Sequence, residues 1–98
     1  MAETSRAIVV DERDSVATAL ADLAEGEVLV LRVGGDDCRI ELRAPIAFGH
    51  KLALMAIPAG APVIKYGEVI GRSTQAIVPG EHVHVDNLES MRGRGDLR

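Results

Sequence analysis

Pro58-Ala59-Gly60-Ala61-Pro62-Val63-Ile64-Lys65-Tyr66-Gly67-Glu68-Val69-Ile70-Gly71-Arg72 decides the fold class. Five of these fifteen residues are Gly or Pro, and the longest stretch between them, Val63 to Tyr66, is long enough for a strand but too short for a helix. The same punctuation extends outward, to Gly49 on one side and to Pro79 and Gly80 on the other. It leaves room for no helix beyond about Lys51 to Ala56, so short strands joined by tight turns are expected from Pro45 onward.

Toward the N-terminus the pattern is more regular. Cys38-Arg39-Ile40-Glu41-Leu42-Arg43 alternates polar and apolar, Val28-Leu29-Val30-Leu31-Arg32-Val33 is a near-continuous apolar run, and Gly34-Gly35-Asp36 supplies turn chemistry between them. A hairpin accounts for all three pieces. From Asp14 to Glu25 the apolar Val16, Ala19, Leu20 and Leu23 recur at three- and four-residue steps; Asp14 suits an N-cap and Gly26 a left-handed stop, which predicts one helix. Arg6-Ala7-Ile8-Val9-Val10 reads as a first strand ending at the charged turn 11–14. The expected class is mainly β with one helix (α+β). Gly26, Gly60 and Gly80 each precede, by two or three residues, a valine opening a short strand. Their irregular spacing reads as a shared turn-then-strand grammar, not a true repeat.

Ninety-eight residues make one domain, assigned to residues 1–90, with a frayed tail expected over 91–98 because Met91-Arg92-Gly93-Arg94-Gly95-Asp96-Leu97-Arg98 has little to bury. The core must be aliphatic: 47% of the chain is hydrophobic, yet Phe48 and Tyr66 are the only aromatics. Fifteen acidic against eleven basic residues give a net charge of -4, which with two aromatics disfavours nucleic-acid binding. No stretch approaches the ~20 apolar residues that cross a bilayer, and the first residues lack a signal-peptide pattern, so a cytoplasmic protein is expected. Cys38 has no second cysteine for a disulfide, a thiolate site or a redox pair, and reads as a passive strand residue. Phosphate-binding glycine loops and hydrolase motifs are absent.

The residues that can carry chemistry are few. In Glu81-His82-Val83-His84-Val85-Asp86 a strand puts His82, His84 and Asp86 on one face and Val83 and Val85 on the other, toward the core. Successive same-face residues lie about 6.5–7 Å apart, so two imidazoles can share an ion, whereas Asp86 joins them only if the chain bends at Asp86-Asn87. The same pattern also fits two histidines on a solvated strand face. His50, in Phe48-Gly49-His50-Lys51, is a general acid or base by type and equally a turn histidine. Lys65 and Arg72 are cations able to clamp a carboxylate, or surface charges in water.

Three motifs occur in order from Phe48 to Leu88: Phe48-Gly49-His50-Lys51-Leu52-Ala53-Leu54; Gly60 through Lys65-Tyr66-Gly67 to Ile70-Gly71-Arg72; and Pro79-Gly80-Glu81-His82-Val83-His84. Over about two fifths of the chain the sequence thereby resembles the SAF domain of the altronate and galactarate dehydratase family. The resemblance implies a β-clip fold, a large catalytic lyase subunit as partner, and a divalent metal, iron or manganese. In that family the domain is the N-terminal part of a long chain or a separate small subunit, and a chain of this length corresponds to the second. It implies a hydro-lyase acting on a small hydroxy acid and inactive without its partner. His82 and His84 would contact metal or substrate, with Asp86 as a conditional third ligand where the family commonly has histidine. His50 would serve proton transfer, and Lys51, Lys65 and Arg72 substrate binding. Carbon–sulfur cleavage of a sulfolactate-type substrate and a non-catalytic interaction module are the alternatives.

Overall fold

A computed structural model describes residues 2–3 and 6–90. In chain order the strands are β1 (Ala2–Glu3), β2 (Ala7–Val9), β3 (Val16–Ala19), β4 (Val28–Val33), β5 (Asp36–Glu41), β6 (Lys51–Ala53), β7 (Pro62–Lys65), β8 (Glu68–Ser73), β9 (His82–Val83) and β10 (Leu88–Ser90). They form a five-stranded antiparallel sheet in the order β1-β2-β3-β6-β9, a three-stranded sheet β10-β8-β7 and the two-stranded β4-β5 hairpin. The tail expected over 91–98 lies outside the described residues.

The five-stranded sheet is the middle layer. Its register aligns Ala17 with Leu52 and Leu52 with His82 across three strands, and Thr18 with Lys51 and Lys51 with Val83 one step along. Directly opposed residues share a face. On one face Ala17, Ala19, Leu52 and Leu54 pack with Leu29, Leu31, Ile40 and Leu42 from the hairpin side. On the other, Val16, Ala53 and Val83 pack with Ile57, Val63 and Ile77. Both faces therefore carry a packed core, and each fully buried Leu or Ile contributes about 1.5–3 kcal/mol.

That double burial explains the main departure from the sequence reading. The helix predicted from Asp14 to Glu25 does not form; among the described residues there is no helix at all. Val16 and Ala17 are consecutive yet both buried, each against a different layer, so the segment lacks the alternation that marks a half-buried strand. Its apolar steps of three and four arise from a strand running into a turn. Asp14 caps nothing: its carboxylate accepts the Asp11 N–H (3.2 Å) and, across the fold, the Gly67 N–H (2.8 Å). The segment around Lys51 to Ala56 likewise contains strand β6. The β4-β5 hairpin forms where expected, turning at Gly34 and Gly35 with φ of 60° and 91°.

The turn grammar is richer than the sequence suggested. Four segments, 24–27, 47–50, 58–61 and 78–81, each close with the fourth N–H donating to the first carbonyl at 2.9–3.1 Å. Their third residues, Gly26, Gly49, Gly60 and Gly80, have φ of 82–89°, as a type II turn requires. The apolar residue just before each turn is buried, and these residues pair across the fold, Leu23 with Ile46 and Ile57 with Ile77. Gly49 belongs to this set although a histidine and a lysine follow it, not a valine.

Candidate functional site

Two of the four turns deliver histidines. His50 ends the 47–50 turn, where its N–H donates to the Ala47 carbonyl and its own carbonyl accepts the Ala19 N–H at 2.8 Å. Two residues before Leu52, it lies on the Leu52 face. The 78–81 turn leads into β9, where His82 stands opposite Leu52. The two imidazoles, 32 positions apart in sequence, meet with Nδ1 of His50 2.9 Å from Nε2 of His82.

His84 joins them because β9 stops at Val83. The Asn87 N–H donates to the His84 carbonyl at 3.0 Å, closing a turn over 84–87. The Asn87 side chain locks that turn: its Oδ1 accepts the His84 N–H at 2.9 Å and its Nδ2 donates to the His82 carbonyl at 2.7 Å. Asn87 is buried. A straight strand would hold same-face residues about 6.5–7 Å apart; here the His82 and His84 ring centroids are 5.2 Å apart, and those of His50 and His84 are 4.3 Å apart. The three rings are near-parallel, and one nitrogen from each lies within 4.8 Å of the other two. These are all three histidines of the chain, each half-buried.

Asp86 does not enter this group. The chain bends, but from His84, two residues earlier than anticipated, which turns Asp86 into an adjoining hollow of about 490 Å³ that it lines with Arg43, Gln75, Val78, Glu81, His82 and Asn87. Val85, expected to face the core, is 81% exposed for the same reason, whereas Val83 is fully buried. A second hollow of about 430 Å³, lined by Asp22, Leu23, Pro45, Ile46, Ala47, His50 and His82, lies beside the rings, so His82 borders both.

The electrostatics favour neutral imidazole at His82. Burial holds its pKa below the ordinary 6.5, the neighbouring His50 and His84 add to the effect, and Asp86 opposes it. A neutral ring is the form that ligates a cation or accepts a proton.

The expected substrate cations are dispersed. Lys51 neighbours His50 in sequence, so the two-residue strand period puts it on the opposite face, aligned with Val83. There burial lowers its pKa, and Lys65 contributes further. Lys65 rests its Nζ 4.9 Å from the Tyr66 ring centroid. Arg72 lies on β8 and donates to the Gly60 carbonyl at 2.8 Å. Sequence reasoning met Asn87 only as half of a turn and passed over Arg43. The turn-prone Asp86-Asn87 pair was the signal for the first; Arg43 carried none, because its place beside His82 depends on its N–H bonding the Gly80 carbonyl at 2.9 Å.

Known proteins share this arrangement of sequence. Over 77 residues, 79% of this chain, it is 48% identical to an altronate dehydratase of Escherichia coli, and over 83 residues it is 37% identical to that of Bacillus subtilis. The chain spans only 15% and 16% of the lengths of those two proteins. It is 38% identical over 88 residues to the (2R)-sulfolactate sulfo-lyase subunit alpha of Chromohalobacter salexigens, and there the match covers 94% of the relative. All three relatives are lyases by name. Residues 5–91 match the family described as the altronate/galactarate dehydratase SAF domain, and with nearly the whole described chain inside that match, this protein belongs to that family.

Proposed function

We propose that this chain is the small subunit of a two-chain hydro-lyase that dehydrates a sugar acid, and that it contributes the histidine cluster to a site shared with a large catalytic subunit. The observation that carries the reading is the gathering of His50, His82 and His84, with one ring nitrogen of each within 4.8 Å of the others, in a lyase-family domain. The 94% coverage of a protein named as a subunit supports the separate-chain arrangement, and the mainly β architecture accords with the β-clip fold implied by the family resemblance.

Three imidazoles with ligand atoms within 4.8 Å suit a divalent transition metal. Bonds of about 2.0–2.1 Å in a tetrahedral site set nitrogens about 3.3 Å apart; here they lie within 4.8 Å in stacked rings, so binding would replace the 2.9 Å His50–His82 hydrogen bond and turn the rings until their in-plane lone pairs meet. Three protein ligands leave a position open, as catalytic sites do, and an all-imidazole set favours iron over manganese, which prefers oxygen donors. When bound, the metal would supply Lewis-acid stabilisation of the charge that builds on substrate oxygens during elimination. His50, His82 and His84 would hold the ion and so orient the substrate; with all three rings engaged, the proton for the leaving hydroxyl would come from a group of the large subunit. Arg43, exposed in the hollow beside His82, is better placed to hold the substrate carboxylate than Arg72, while Lys51 and Lys65 would meet anionic groups of substrate or partner on the opposite face.

The test is turnover by the co-purified pair on altronate and galactarate. A keto-acid product that disappears in His82→Ala and His84→Ala bears out the reading, and unchanged kcat and KM in both variants refutes it. Cleavage of a sulfonated hydroxy acid is the second reading, favoured by the length match to the sulfo-lyase subunit; release of sulfite along with a keto acid from a sulfonated substrate, with no turnover of the sugar acids, would select it.

A further inference from the structure

Asn87 is the side chain on which the histidine cluster depends, although it points at none of the rings. It is 3% exposed and makes four hydrogen bonds. Oδ1 takes the His84 N–H, Nδ2 gives to the His82 carbonyl, its N–H gives to the His84 carbonyl, and its own carbonyl receives the Thr74 N–H at 3.0 Å. The first two come from one planar amide and fix the backbone of both histidines at once. The last ties the turn to the segment following β8, so the turn is held from outside as well as from within. Without the amide, the turn keeps only its own backbone bond, the bond from Thr74 and the pairing of β10 with β8, none of which holds the His84 N–H or the His82 carbonyl, so the His84 ring is free to move away from His50.

We infer that Asn87 is a positioning residue that ends β9 at Val83 and thereby sets the three-histidine geometry. The inference rests on the proposed metal role of the cluster, but only for one of its two readouts. Leaving either partner of the amide unpaired in a buried turn is unfavourable, so the amide selects the bent arrangement over the straight one. Outer groups that orient ligand histidines commonly change metal affinity 10- to 100-fold when removed.

The experiment titrates the full chain with Co²⁺, well below its melting temperature, and follows the visible absorption of the bound ion. Asn87→Ala is expected to bind 10- to 100-fold more weakly with an altered band. Asn87→Asp, which keeps the acceptor for His84 and loses the donor to His82, falls between it and the parent. Val63→Ala, a buried change in the opposite layer, serves as the stability control: it lowers Tm and leaves affinity within about twofold. Equal affinity in Asn87→Ala and the parent overturns the inference, as does a loss in Val63→Ala that tracks its Tm. The second readout needs no metal. Nuclear Overhauser contacts between the His50 and His84 rings, 4.3 Å apart by centroid, should be present in the parent and lost in Asn87→Ala. If the parent binds no Co²⁺, the metal reading fails and these contacts alone decide the positioning role: their persistence in Asn87→Ala refutes it.

Discussion

Adding one methyl group at Gly80 should unseat the histidine strand, whereas the same change at Gly49 should be mild. Both glycines hold the third position of a type II turn, with φ of 89° and 84°. A β-carbon in that left-handed region costs roughly 1–2 kcal/mol by itself. At Gly49 nothing lies within 4 Å of the added atom, so that cost is the whole effect. At Gly80 the added atom would overlap the carbonyl oxygen of Glu41 and touch Cγ of Arg43 at 3.3 Å. Glu41 is held in β5 by pairing with Val28, and the Arg43 N–H bonds the Gly80 carbonyl. Relief therefore breaks a buried hydrogen bond, worth about 1–3 kcal/mol when left unmet. The total for Gly80→Ala is about 2–5 kcal/mol, a large share of the stability of a domain this size. At roughly 4–8 °C per kcal/mol, thermal melts by circular dichroism should place Gly80→Ala clearly below Gly49→Ala. Equal Tm values, or the reverse order, would refute the claim that close packing of the 78–81 turn on β5 positions β9.

Two further outcomes follow from the same contacts. His82 should titrate below 6.5 by NMR; the unfolded chain then takes up the proton first, so this group's contribution to stability is present above 6.5 and is lost as pH falls through the folded value, and a midpoint above 6.5 would contradict the burial argument. Asp14→Ala leaves the Asp11 and Gly67 N–H groups without their carboxylate and should cost about 1–3 kcal/mol, with faster hydrogen exchange at Gly67; unaltered exchange there would show that Asp14 does not pin the β7-β8 turn.

Which parts of this molecule were legible in the sequence depends on how local the deciding interactions are. The β4-β5 hairpin was readable because its turn residues and the alternation in Arg39-Ile40-Glu41-Leu42 are local signals. Strand β3 was not, since Val16 and Ala17 face different layers and only the assembled fold shows that both are buried. The kinship of the turn at Gly49 with the other three was not readable from the valine that follows each of them, because the third residue after Gly49 is Leu52. Within the site, the nearness of His82 and His84 was readable from their spacing. The approach of His50 was not, because it comes from a register that aligns Leu52 with His82. The exclusion of Asp86 was not readable either, since it follows from where β9 ends, and that is fixed by Asn87 and a bond from Thr74.

The most direct test of the central claim is the metal content of the chain co-purified with the proposed large subunit under anaerobic conditions, for the parent and for a variant carrying His50→Ala, His82→Ala and His84→Ala together. The account predicts about one divalent metal ion, iron foremost, per small subunit in the parent and its loss in the variant, with the two chains still associated. A parent complex without metal, or a variant that keeps the parent's full complement, would contradict it.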